Sequence, residues 1–289
     1  MNMRRLIYIA FFIISTSAYS QEAQDRPTAM LKVEYEAWSN SNNTITGVPS
    51  FYSDRFILQV AKDMSYYFNA QTYFVDSLQN DPNGKAALTL AWEDAYREMV
   101  DGGRNSYEIM KEKGFVRKSS AKHLKNFNSG IIDVWDSNMG DVYNYKVEMS
   151  DLSWEICDSI KDVLGYECNL ATTDYHGRKW KAWYATDIPV RDGPWQFCGL
   201  PGLILRAETD DNSYGFTATG IQKCNEPLKE RYIKEDKVFK TQRKAFLKTK
   251  DYSRRNRSAQ ISAMTGGKVN PTNSDYKDND DFIETDYHE

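Results

Sequence analysis

Apolar and polar positions alternate with a period of two along much of the chain. In residues 29–38, Leu31, Val33, Tyr35 and Ala37 alternate with Lys32, Glu34 and Glu36. In 141–149, Tyr143, Tyr145, Val147 and Met149 alternate with Asn144, Lys146 and Glu148. Tyr214, Phe216 and Ala218 do the same against Thr217 and Thr219. Successive side chains of a strand point to opposite faces, so the pattern predicts an antiparallel sheet with one buried and one wetted face. Residues 55–67, 176–186 and 203–209 read as further strands. A helical period appears in 85–100, which places Leu88, Trp92, Ala95 and Met99 on one face before Gly102-Gly103. Residues 228–247 repeat Tyr232, Phe239 and Phe246 every seven positions and predict a second, basic helix. The expected fold class is α+β: a curved antiparallel sheet, an open or half β-barrel, with a helical insertion near 84–130 and the helix over 228–247.

The ends of the chain differ from this middle. Arg4 and Arg5 precede the apolar block Leu6–Ile14, which is too short to span a bilayer, and Ala18-Tyr19-Ser20 supplies small residues for cleavage before Gln21. Residues 1–20 therefore read as an export signal and 21–265 as one domain. No transmembrane segment is expected in the mature chain, which would reside in the periplasm or be secreted. From Gly266, an acidic stretch ending "FIETDYHE" reads as a disordered tail over 266–289. Residues 229–257 are strongly basic. Their simplest reading is a solvated helix neutralised by that tail; the alternative is contact with anionic lipid headgroups. Loss of Arg4 and Arg5 leaves 35 basic against 41 acidic residues, a balance that argues against nucleic-acid binding.

Four cysteines, Cys157, Cys168, Cys198 and Cys224, in an oxidising compartment favour two disulfides. A hairpin of 203–209 with 214–223 gives opposing residues whose numbers sum to about 423, which brings Cys198 towards Cys224. A hairpin around Asp162-Val163 brings Cys157 opposite Cys168. The expected pairs are thus Cys157–Cys168 and Cys198–Cys224. No C-x-x-C, H-x-H or H-E-x-x-H spacing is present, and no metal or cofactor is expected.

Residues 195–206, "WQFCGLPGLILR", contain two glycines flanking a Leu-Pro pair. The phosphate-cradle reading fails because Leu203 and Ile204 stand where a Lys-Ser/Thr is needed. The nucleophile-elbow reading fails for want of a serine. Gly199, Leu200, Pro201, Gly202, Leu203 and Ile204 are therefore architectural, with Pro201-Gly202 at the centre of a type II turn and positive φ at Gly202. Gly165-Tyr166, Cys168, Ala171-Thr172, Gly177-Arg178, Ala182-Trp183-Tyr184, Ile188-Pro189, Gly193-Pro194 and this hexapeptide occur in one order over 165–210. That block resembles the signature of the GLPGLI family of exported proteins of Gram-negative bacteria. The resemblance implies membership of that exported family but no activity.

Large aromatics crowd 176–197. Trp180, Trp183, Tyr184, Trp195 and Phe197, beside Arg178, suit an amphiphilic ligand with an apolar body and an anionic head. The first functional expectation is a cell-envelope binding protein holding a lipid-like ligand or peptide in a cleft near Trp183, Trp195 and Pro201. A structural or adaptor protein of the envelope, working through its sheet edge and charged tail, is the alternative. A hydrolase using His176 with Asp174 or Asp187 is a third. His123, in "KSSAKHLKN", reads as an exposed helix or loop residue.

Overall fold

The computed structural model describes residues 26–42, 49–264 and 282–288. Residues 1–20, expected to be an export signal, and most of the expected acidic tail lie outside these. Among the described residues the strands are β1 (Thr28–Asn42), β2 (Pro49–Val60), β3 (Met64–Asn69), β4 (Lys122–Asn126), β5 (Ile131–Asn138), β6 (Asp141–Glu148), β7 (Glu155–Val163), β8 (Tyr166–Tyr175), β9 (Arg178–Ala185), β10 (Leu203–Thr209), β11 (Tyr214–Pro227) and β12 (Val238–Lys240). The helices are α1 (Ala70–Asn80), α2 (Pro82–Gly102), α3 (Ser106–Glu112), α4 (Arg243–Arg255) and α5 (Arg257–Met264).

All twelve strands form one open sheet in the order β12-β6-β5-β4-β3-β2-β1-β11-β10-β9-β8-β7. Only β12 with β6 is parallel. The α+β class and the open sheet are as the alternation predicts. Leu31, Val33, Tyr35 and Ala37 share one face of β1, and Val33 and Tyr35 are buried in the main core with Leu58, Trp180 and Phe216. The sheet curls. Tyr145 on β6 and Phe216 on β11 line one cavity although five strands lie between them, a span of six inter-strand steps or about 29 Å on a flat sheet.

The predicted strand over 55–67 is two, β2 and β3, because the chain reverses at residues 61–63, where the Ala61 N–H donates to the Met64 carbonyl. The predicted helix over 85–100 is the middle of α2. Asp81 caps its start by accepting from the Gly84 N–H, and Gly103 at φ 69° ends it. Leu88 and Ala95 are buried as expected, but Trp92 is exposed. The helix expected over 228–247 forms only from Arg243. Upstream, Tyr232 has positive φ, and its ring packs on Tyr73, while Phe239 packs on Tyr143. The chain crosses from β2 and β4, where the Lys229 N–H bonds Gln59 and the Arg231 carbonyl accepts from Lys122, to the edge strand β12 beside β6, and this non-helical course takes the place of the helix suggested by the seven-residue spacing.

The β10–β11 register is the expected one: Arg206 faces Thr217, Ala207 faces Phe216 and Glu208 faces Gly215. Neither expected disulfide forms, and all four cysteines are free thiols. Cys198 lies in the loop before β10, bridged to Asp192, whereas β11 leaves β10 after three residue pairs and runs on along β1. In the other hairpin the turn is Leu164-Gly165, both at positive φ, not Asp162-Val163. A bulge between Cys157 and Ile160 then places Cys157 opposite Leu170, and Cys168 opposite Lys161. The tail expectation also fails at its end. Residues 282–288 pack on the domain, with Glu284 and Tyr287 buried.

Candidate functional site

β9 and β10 are neighbours, yet seventeen residues, 186–202, separate them, and that segment folds over the sheet instead of turning tightly. Its own backbone closes it: the Leu203 N–H donates to the Ile188 carbonyl and the Ile204 N–H to the Asp192 carbonyl, each at 3.0 Å. The fastening comes from β4. Lys125 and Asp192 are 0 % and 1 % exposed, and the Lys125 ammonium donates to Asp192 Oδ1 at 2.6 Å. The same ammonium donates to the carbonyls of Gly193 and Phe197, both at 2.7 Å. Three acceptors use all three of its protons, which is what makes a buried cation tolerable.

This fastening drives Trp195 and Phe197 into the core. They pack with Trp180 and Phe216, ring centroids 4.9–6.3 Å apart. Of the residues expected to face a ligand, Trp180, Tyr184 and Phe197 are therefore core. Trp183, on the other face of β9, packs at the core margin beneath the Lys161 ammonium. Arg178 stacks on Tyr214 and donates to the carbonyls of Phe282 and Ile283. The single cleft expected near Trp183, Trp195 and Pro201 is not formed. Pro201 borders one groove with Trp154 and Leu200, Trp195 borders another cavity, and Trp183 borders neither. Gly202 does not have positive φ; Gly199 does, at 95°. Glycine is needed at 202 for space, since a Cβ there would overlap the Ala185 carbonyl, 2.6 Å from its carbon.

The cavity bordered by Trp195 has a volume of about 270 Å³. Phe56, Tyr67 and His123 from β2, β3 and β4 line it, with Tyr145 from β6 and Tyr214 and Phe216 from β11. Leu247 and Lys250 of α4 and Phe282–Glu284 complete the wall. Two ion pairs stand at its sides: Asp54 with Lys118, and Asp136 with Lys250. Two buried polar side-chain atoms of this lining have no partner among the described residues. They are His123 Nδ1 and Tyr67 Oη, in side chains that face each other across the β3–β4 pair with rings 5.8 Å apart.

His123 is thus buried in a strand and not exposed in a loop. The turn 127–130 between two short alternating segments, ending in Gly130, is the hairpin signal that marks β4 and β5. Burial, aided by the nearby Lys125 charge, pushes the His123 imidazole down to about 3, so it is neutral at ordinary pH. An unfolded chain takes up that proton near pH 6.5 and the folded one does not. Stability is therefore fully present above pH 6.5 and falls as the pH drops from there towards 3, by about 1.4 kcal/mol per unit. Urea unfolding of His123→Gln at pH 7 and pH 4 should show a shallower loss than the parent, by about 3 kcal/mol over that interval. Equal losses in both proteins would refute it.

His176 sits at positive φ in the β8–β9 turn. It is hydrogen-bonded to Gln196 at 2.9 Å and flanked by Glu284 and Asp286. Burial lowers its pKa. Asp174 and Asp187, its expected partners, are exposed and not bonded to it. His176, Glu284 and Asp286 have metal-ligand spacing, but the Arg243 guanidinium already binds both carboxylates. A fixed cation fills the place a metal would take. Lys122, beside His123 on β4, bonds Asp76 and the Arg231 carbonyl.

Residues 175–206 match a family model described as a protein of unknown function (Porph_ging). The matched stretch is β9, the fastened loop and the start of β10. No curated protein matches the chain. Two solved structures are similar in fold, PNGF-II in P2₁ and in C2 space groups. The first has 13% identity and a TM-score of 0.50, the second 14% and 0.47. They cover 78% and 77% of this chain but only 34% and 33% of PNGF-II, so this chain spans about a third of that protein. No helix among the described residues is long and apolar enough to cross a membrane.

Proposed function

We propose that this chain is a GLPGLI-type exported protein of the cell envelope that binds a small amphiphilic molecule in the cavity between Tyr67, His123, Trp195 and Phe216. The observation that carries the reading is the pair of unpartnered buried atoms, His123 Nδ1 and Tyr67 Oη, in residues of a wall that is rich in aromatic rings. A buried hydroxyl or ring nitrogen without a partner costs about 1–3 kcal/mol, and a bound polar group or water removes that cost. Neutral imidazole and phenol together offer a donor and an acceptor, which suits an uncharged hydroxyl, carbonyl or amide on an apolar body. This replaces the anionic head expected beside Arg178, whose guanidinium is engaged with backbone carbonyls. The aromatic rings supply the apolar contact.

Native mass spectra of the exported protein before and after organic extraction test this. A discrete adduct that extraction removes is the expected result. Ala121, half-buried on the cavity wall, can be enlarged without deleting an existing contact. Ala121→Trp should fill the cavity and lower retention at least tenfold while the fold is kept. An apo mass throughout, or equal retention in Ala121→Trp, overturns the reading.

A further inference from the structure

Residues 282–288 contribute no strand to the sheet, and 17 residues separate them from the end of α5. They nevertheless occupy a groove that reads them in detail. Arg178 donates through Nη2 to the Phe282 carbonyl at 2.8 Å and through Nε to the Ile283 carbonyl at 3.1 Å. The Thr285 N–H donates to the His176 carbonyl at 2.9 Å, and the Thr285 hydroxyl to the Gly177 carbonyl at 3.1 Å. Two carboxylates alternate with these backbone contacts. Glu284 accepts from Arg243 Nη1 at 2.6 Å and from Gln196 at 3.2 Å, and Asp286 accepts from Arg243 Nη1 at 2.8 Å. Tyr287 is buried in the cluster of Ile132, Val134, Tyr145, Val147, Phe246 and Leu247.

The groove floor is shaped to this occupant. Gly177, at φ 82°, lies directly under Thr285, and a Cβ there would come within 2.8 Å of the Asp286 nitrogen. Main-chain contacts that set register, a pocket for one aromatic ring and an arginine for alternate carboxylates are the elements of peptide recognition. Without its occupant the groove would leave Arg243, 13 % exposed, with no counter-ion from Glu284 or Asp286.

We propose that this groove is a binding site for an acidic peptide of another protein, of the pattern apolar-apolar-Glu-x-Asp-aromatic and closing in a 3-10 turn as Asp286–His288 do, and that residues 282–288 are a tethered occupant that such a peptide displaces. The inference does not depend on the cavity ligand. It has a consequence for the cavity, because displacement removes Phe282, Ile283 and Glu284 from the wall. A tether of this length holds the internal segment at an effective concentration on the order of millimolar. A partner peptide of micromolar affinity therefore competes only when presented at high local concentration, or after the tether is cut.

The test uses the full chain with a site-specific protease sequence placed between residues 268 and 278, cut after folding. The probe is a fluorescent peptide of residues 282–289, FIETDYHE, followed by anisotropy. The cut protein should bind it with micromolar affinity and the uncut protein about 100-fold more weakly. Arg243→Met in the cut protein should weaken binding at least tenfold, and a peptide carrying Glu284→Lys and Asp286→Lys should not bind. If the cut fragment stays in place, a hundredfold excess of labelled peptide should exchange with it. The proposal is overturned if cut protein of unchanged circular dichroism fails to take up the peptide, or if uncut protein binds it equally well.

Discussion

Lys125→Met is expected to lower the free energy of unfolding by about 3–5 kcal/mol, measured as a fall in the urea midpoint at unchanged slope. The substitution keeps the volume of the side chain and removes only its charge and donors. Asp192, 1 % exposed, then keeps a buried carboxylate whose Oδ1 has lost its cation, and the Gly193 and Phe197 carbonyls lose a donor. Oδ2 has no partner even in the parent, so the carboxylate has little left to share its charge with beyond the Gly193 N–H. Removing one member of a buried pair costs far more than removing both. The double variant Lys125→Met/Asp192→Asn should therefore regain about half of the loss. Additive losses would mean that the lysine acts independently of Asp192, and the fastening described above would be wrong. The effect should extend to the cavity, since Trp195 rides on the same loop.

Gly202→Ala should cost about 3 kcal/mol or prevent folding, whereas Gly199→Ala, three residues away, should cost only about 1 kcal/mol. The two glycines serve different purposes. At 199 the backbone has φ 95°, but the space outside is open, with Trp154 no nearer than 4.0 Å. At 202 the backbone conformation is ordinary and the space is filled by the Ala185–Thr186 peptide of β9, where that strand meets the start of β10. Backbone cannot move aside as a side-chain tip can, so β9 and β10 would have to separate. Thermal melts of the two variants decide the matter. Equal losses would restore positive φ as the reason for Gly202.

The aromatic crowding of 176–197 was legible as a sequence feature, but its meaning was not. Trp180, Tyr184 and Phe197 look like ligand contacts because aromatic clusters serve both uses, and only a neighbour across the sheet distinguishes them. That neighbour includes Phe216, on a strand that the register placed correctly, and Lys125, in a segment that looked like a loop. His123 was missed for the same reason. A histidine flanked by lysines reads as solvated, yet in β4 His123 and Lys125 share the inner face while Lys122 and Leu124 share the other. The Cys157–Cys168 pairing failed through register, where one bulge and a two-residue shift of a turn moved the thiols apart, and Cys198–Cys224 failed because β11 leaves β10 and runs on along β1.

By itself the sequence determined the local terms: which segments alternate with period two, where α2 ends, and how β10 faces β11. Each depends on residues close together in the chain, whose steric and solvation preferences can be read directly. Only the tertiary structure decided how the sheet curls and which buried charges meet. It also decided which aromatic rings fill the core and which line the cavity, and that residues 282–288 return to a groove more than a hundred residues away from Arg178 in sequence. Those outcomes depend on strands six places apart in the sheet and on ion pairs formed where water is excluded, and no periodicity along the chain encodes either.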